Sequence, residues 1–366
     1  MEWRLKNIAK KSIVEKEILN EDIIVDFDIK EINRLLYRGL FISGSIGSMA
    51  VLFYYLPLEL YADFFNSWKI QLNLFNTNIE IIPYPLIFNV IFLVLELYLL
   101  GLLNIFMIKK LTHITKFPNP NITDSLFHIE EVTNISLENF KSKENELGIN
   151  PYHGMAKWYL ILFLVFNKVK AFASNLIIKT VFRKLLGRYV LRLYMDLLGM
   201  PIYFFWNAYA TRIVFLRAKY YIFGQELINQ YLSDFTIKHK DNEEIKKFVY
   251  EVLAHVAIAK REFNAINYYF SHKTIENLGI EVQKNFVPEN NLIDSLKRCN
   301  SEYINDLIGL FLIGIIADGD INRYEQKYLN ELINTFNVKD SLVNDYENLL
   351  SEFKNGKGVH LLKSKK

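Results

Sequence analysis

The chain has 366 residues, of which 51% are hydrophobic, 15% aromatic and 23% charged, with a formal net charge of +3. That charged fraction excludes both a disordered chain and an all-membrane channel body, and the near-neutral total gives no footing for general nucleic-acid binding. A single cysteine, Cys299, rules out a disulfide framework, a cysteine-based zinc site and an iron–sulfur cluster, leaving a mixed chain, part membrane and part soluble.

Residues 1–38 mix both charge signs and lack an apolar core followed by small cleavage-site residues, so they read as a cytoplasmic N-terminal segment and not a signal peptide. From Gly39 to Leu56 the sequence carries no charge. At about 1.5 Å per residue this run falls just short of a roughly 30 Å hydrocarbon core, and the flanking residues to Leu60 complete a span. A second apolar run, Pro85 to Ile108, is longer and stops at Lys109 and Lys110. Residues 39–108 are thus predicted to form a transmembrane helical hairpin with spans at about 39–60 and 85–108. The competing reading is a pair of buried core helices of a soluble protein, which the length of the runs disfavours.

Arg34 and Arg38 precede the first span and Lys109, Lys110 and Lys116 follow the second, whereas the loop between them holds only Lys69. The positive-inside rule then puts both ends of the hairpin in the cytoplasm and the loop from Tyr61 to Tyr84, with its interfacial aromatics, outside. Gly39, Ser43 and Gly47 recur every four residues and let another helix approach closely. The second span is the natural partner, and a second copy of the chain is the other. Glu96 lies in the middle of the second span, where a carboxylate should face protein or take up a proton. It is either a proton or cation step, with Asn89 and Asn104 along the same path, or a hydrogen-bonded packing residue.

Residues 109–150 read as a cytoplasmic linker with a short helix, and residues 151–228 as a basic, half-apolar region. Between Leu147 and Gln225 the only acid is Asp196, against eleven cations. Trp158 to Phe166 is too short to span alone. From Leu176 to Leu198 the cations Lys179, Arg183, Lys184, Arg188 and Arg192 leave apolar residues on other faces, as in a basic amphipathic helix lying on an anionic bilayer. The next run, Leu198 to Leu216, is nearly long enough to cross but contains Asn207 and Arg212, so spanning and surface-lying readings both stay open. Gly199-x-Pro201, Asn207 in an aromatic helix, Arg212, Arg217, Ala218 and Phe223-Gly224 resemble the closing membrane-associated helix of EcsC-like bacterial proteins. That resemblance covers about 30 residues and implies membrane association without a defined chemistry.

From residue 229 to 366 the composition turns soluble, with helix-period patterning and an internal repeat. The segment from His255 to Ile280 aligns without gaps to that from Ile313 to Val338 at a constant offset of 58, matching Ile258 to Ile316, Ala259 to Ala317, Asn264 to Asn322 and Ile275 to Ile333. Each unit reads as helix, short polar break, helix, so the whole chain is predicted to be all-α, ending in a pseudo-repeat helical bundle. The second copy, Ile316 to Glu325, carries Ala317-Asp318-Gly319-Asp320 and then Glu325, and it resembles the tellurite-resistance TerB-like domain over roughly residues 242–354.

That resemblance implies an all-helical pseudo-symmetric fold and binding of Ca²⁺ or another divalent cation through Asp318, Asp320 and Glu325; the setting expected for the whole chain is a bacterial inner membrane in envelope or metal stress. Hard cations do want several oxygen ligands around a tight turn, although Arg323 and Leu329 exclude an EF-hand. The alternative is a capped turn: Gly319 ends one helix, Asn322 caps the next and Glu325 completes a capping box. The first copy keeps Asn264 but has Lys260, Glu262 and Asn267 where the second has Asp318, Asp320 and Glu325. No phosphate loop, dinucleotide turn or serine elbow occurs, and the histidines form no recognisable pair. The expectation is a non-enzymatic membrane protein. Its partners would be the lipid bilayer and other membrane or cytoplasmic proteins, it would act as a scaffold or sensor, and both termini would be cytoplasmic. A small transport component using Glu96 and a peripheral lipid-binding factor are the alternatives.

Overall fold

The computed structural model describes residues 27–61, 63–64, 70–74, 77–81, 83–118, 125–137, 144–158, 160–162, 192–284, 286–338 and 341–357. Helix α1 covers Ile29–Leu60, capped at its start by the Asp28 side chain, which accepts from the Glu31 amide. Strands β1 (Ile70–Leu74) and β2 (Thr77–Ile81) follow, and then α2 (Pro83–Ile114). Two short helices, α3 (Ser125–Ser136) and α4 (Glu144–Leu147), lead to α5, which runs unbroken for 48 residues over Arg192–His239. The C-terminal helices are α6 (Glu243–Lys260), α7 (Ala265–Leu278), α8 (Leu292–Leu296), α9 (Ser301–Ile316), α10 (Arg323–Phe336), α11 (Ser341–Asn344) and α12 (Tyr346–Lys354).

The all-α expectation holds, with one addition. β1 and β2 pair antiparallel between the two apolar helices, with Ile70 opposite Ile81 and Leu74 opposite Thr77. Ile70, Leu72 and Leu74 alternate with Gln71 and Asn73, a period of two suited to a strand.

Helices α1, α2 and α5 pack as a bundle, with α5 lying along α1 over most of its length. The run is antiparallel. Ser48 Oγ donates to the Met200 carbonyl at 3.2 Å, the ring of Phe204 covers Gly44, and Phe27 stacks on Phe223 at 4.2 Å. The stretch from Leu198 to Leu216 is not a separate element: it is part of α5 and packs on α1. The small-residue face of α1 is filled from within the same chain, by Met107 at Gly39 and by Tyr203 and Asn207 at Gly47, while Ser43 is fully buried. The neighbours of Gly39 and Gly47 on this face are α2 and α5 of the same chain.

Stretches of 25 residues in α1 (Ile29–Phe53) and α2 (Val90–Ile114) are long and apolar enough to cross a bilayer, and only 33% and 28% of an apolar 18-residue window in each are buried. Large apolar side chains point outward instead, among them Phe41 and Phe53 on α1, Val90 and Val94 on α2, and Ile202 and Phe205 on α5. A soluble core helix hides such groups; this outward apolar belt is what a lipid solvent requires.

The other end of α5 belongs to the C-terminal domain. One continuous core joins Ile32 and Leu35 of α1, Ile108 and Leu111 of α2 and Val132 of α3 to Phe215, Tyr221 and Phe223 of α5, and beyond them to Tyr250, Phe270 and Phe311. The expected boundaries at residues 38 and 229 thus fall inside α1 and α5. Polarity changes at both points because the surroundings change, while the helix continues.

The repeat is visible as two helix–break–helix units, α6–α7 and α9–α10. Asn264 accepts from the amides of Ile266 and Asn267, and Asn322 accepts from those of Tyr324 and Glu325. In the second unit Glu325 also accepts from the Asn322 amide, so the predicted capping box is present.

The second unit docks on α5 at one tight point. A methyl group on Gly224 would overlap the backbone carbonyl of Ala317, and the ring of Tyr220 covers Gly319, whose φ is +81°. Nearby, buried Lys219 donates to the Lys354 carbonyl at the end of α12 at 3.0 Å, a favourable place for a cation. Burial, and then the charge of Lys354, pushes the Lys219 ammonium down to about 8. Gly224→Val is expected to destabilise the chain by about 1–3 kcal/mol, because backbone cannot yield to an inserted side chain. The loss should appear as a lower thermal midpoint and faster proteolysis between α5 and α9; a variant matching wild type in both would remove the docking role.

Candidate functional site

The acidic constellation of the second repeat lies where its turn meets the end of α6. Lys260, the last residue of α6, reaches across the repeat. Its Nζ lies 2.7 Å from Asp318 Oδ1 and 3.2 Å from Glu325 Oε1, and it donates to the Asp320 carbonyl at 2.9 Å. The structure therefore brings Asp318 and Glu325 together, while Asp320 contributes its backbone oxygen and leaves its side chain exposed.

At the expected divalent-cation site of Asp318, Asp320 and Glu325, the oxygens converge on a side-chain cation. The ammonium of Lys260 takes the central position that a metal would need, and among the described residues no group of three or more His, Cys, Asp or Glu side chains could hold a metal ion. The repeat itself supplies the cation, since Lys260 stands 58 positions before Asp318.

Glu325 is fully buried. Burial pushes its carboxyl from 4.5 up to about 7, against the opposing pull of the Lys260 ammonium and the Asn322 amide. The folded protein thus holds this proton more tightly than the unfolded chain. The stability gained is complete below the unfolded value of 4.5 and is lost as pH rises through about 7. Glu325→Gln keeps an acceptor for Asn322 without titrating. The gap in unfolding midpoint between wild type and this variant should shift against wild type from about pH 5 to about pH 7; a gap independent of pH would refute the assignment.

A second polar site lies inside the apolar bundle. Asn207 Nδ2 donates to Glu96 Oε1 at 2.7 Å, with Glu96 6% and Asn207 1% exposed. Gly47 on α1 provides the space, since a side chain there would meet the Asn207 amide and the Tyr203 carbonyl. Glu96 faces protein, as its depth in an apolar helix demands, and its partner is the polar residue that interrupts the α5 run. Asn104 is also buried on α2. Glu96→Gln retains the acceptor and should leave the thermal midpoint of the detergent-solubilised protein close to wild type. Glu96→Leu strands the Asn207 amide and should destabilise by about 1 kcal/mol; three equal midpoints would deny the pair any role in assembly.

The lipid-facing cations Lys179, Arg183, Lys184 and Arg188 lie outside the described residues, and Arg192 is the first residue of α5. Two histidines from polar stretches of sequence prove to be buried. His128 Nδ1 is 2.9 Å from Tyr221 Oη and its Nε2 is 3.0 Å from Gln225 Nε2, which ties α3 to α5. His239 Nε2 lies 2.9 Å from Asp306 Oδ2, joining the end of α5 to α9. His255, on α6 as its apolar neighbours suggest, is held down to about 4, chiefly by burial. Cys299 is buried, and burial raises its thiol to about 11, which keeps it in the unreactive protonated form.

Comparison with protein-family models, with curated proteins and with solved structures gives no match.

Proposed function

We propose that this chain is a non-enzymatic, membrane-anchored helical module that holds its C-terminal domain at the membrane face as a scaffold or sensor. The observation that carries this reading is α5, which is at once the third helix of the apolar bundle and the element on which the C-terminal core is built. A domain built on the same rod as its anchor keeps a fixed height and angle above the bilayer, as a docking platform needs. A flexible tether would instead let it wander.

The positive-inside rule assigns both termini to the cytoplasm. The TerB-like resemblance of residues 242–354 supports a bacterial inner membrane and a setting in envelope or metal stress. The transport reading would require Glu96 on an open path, and its hydrogen bond to Asn207 within the bundle favours packing instead.

The test is affinity capture from cross-linked membranes with the full chain and with a chain ending after His239, alongside ion-flux assays in proteoliposomes. The expected result is a partner that depends on the C-terminal domain, and no flux. Flux abolished by Glu96→Gln, with the same proteins captured by both chains, would replace this proposal with transport.

A further inference from the structure

The contacts that align the three bundle helices also bring together cations that lie far apart in sequence. On α1 and α5, the Gly44–Phe204 and Phe27–Phe223 contacts bracket a shared level at which residues 34–38 lie alongside residues 211–217. On α1 and α2, Gly39 rests on Met107, so Lys109 and Lys110 join that level. Arg34, Arg38, Lys109, Lys110, Arg212 and Arg217 are all exposed there. They adjoin the outward apolar belt at Phe41 on α1, Phe106 on α2 and Tyr209 on α5, with the exposed Tyr37 between Arg34 and Arg38.

The same level is free of acids in the sequence of all three helices: none occurs from Ile32 to Leu58, from Leu97 to Thr123 or from Leu197 to Gln225. A belt that needs hydrocarbon, bordered at one end by cations from all three helices, has the charge profile of a surface facing phosphate groups at the edge of a bilayer. We infer that these six side chains form a collar that binds the headgroups of anionic phospholipids at the cytoplasmic interface. The inference rests on the membrane-anchor reading and goes further, since it assigns a lipid class and the residues that select it. α5 contributes a third of the collar, which distinguishes it from a simple flank of the two apolar spans.

Anionic lipid clustered here would also neutralise charge at the base of the C-terminal domain, next to Lys219 and the docked turn at Gly224. The collar cations are exposed and lie outside the shared core.

The test uses the full chain in phosphatidylcholine vesicles, with brominated phosphatidylglycerol or brominated phosphatidylcholine as quencher of tryptophan fluorescence. Trp206 lies on α5 six positions from Arg212, within reach of a bound chain. The expected result is at least ~10-fold preference for phosphatidylglycerol, weakening as salt is raised. Each of the pairs Arg34→Gln/Arg38→Gln, Lys109→Gln/Lys110→Gln and Arg212→Gln/Arg217→Gln should reduce that preference several-fold on its own. Equal quenching by the two lipids, or a preference untouched by all three pairs, overturns the collar. Alkaline carbonate extraction of wild-type membranes separates the two claims: protein released by carbonate sinks the anchor reading, whereas an integral protein indifferent to lipid charge sinks only the collar.

Discussion

A single uninterrupted helix shared between an outward-facing apolar bundle and the core of the C-terminal domain is the constraint on which this structure depends. α5 is about 72 Å long at 1.5 Å per residue. Its first part must present Ile202 and Phe205 outward, and its last part must bury Phe215, Tyr221, Phe223 and Leu227. The change of burial along one rod fixes where the outward-facing apolar bundle ends and where the C-terminal domain begins, and α1 and α2 end their own apolar stretches at the same height. Arg34 and Arg38, Lys109 and Lys110, and Arg212 and Arg217 mark that height on each helix.

The two polar clusters show two ways of keeping charge in an apolar place. In the bundle, the buried Glu96 carboxyl is met by the neutral amide of Asn207, which satisfies it without a second ionisable group. In the C-terminal domain, Glu325 and Asp318 face a full positive charge on Lys260, and the cap of α10 takes the remaining carboxylate oxygen of Glu325. There the residual strain is electrostatic, and burial still holds the Glu325 carboxyl above its ordinary range. Both clusters lie against α5 or its docked turn, so the long helix is pinned by polar contacts at two depths as well as by packing.

The features the sequence made legible are those carried by short-range pattern. The apolar runs of α1 and α2 announce themselves by length, Asn264 and Asn322 by their place before helical periodicity, and Gly319 by the turn it permits. The capping box at Asn322 and Glu325 was readable for the same reason, since all of its partners lie within three residues. The offset of 58 even paired Lys260 with Asp318, but alignment read them as equivalents and not as neighbours. Only folding shows that pseudo-symmetric positions at a repeat axis meet, so that the lysine of one copy neutralises the acids of the other.

Amino-acid order alone dictates the predominantly helical character, the apolar hairpin, the repeat with its caps and the demand that Glu96 face protein. These follow from backbone periodicity, side-chain solvation and local hydrogen bonding, all of which act over a few turns of helix. The tertiary structure decided that residues 198–216 belong to the same rod as the start of the C-terminal domain, that the small residues of α1 receive α2 and α5, and that Gly224 lies beneath Ala317. It also decided that Lys260 holds the place expected for a cation. Each of these depends on which surfaces meet across tens or hundreds of residues, where packing and buried charge pairing choose among many partners that local pattern leaves equivalent.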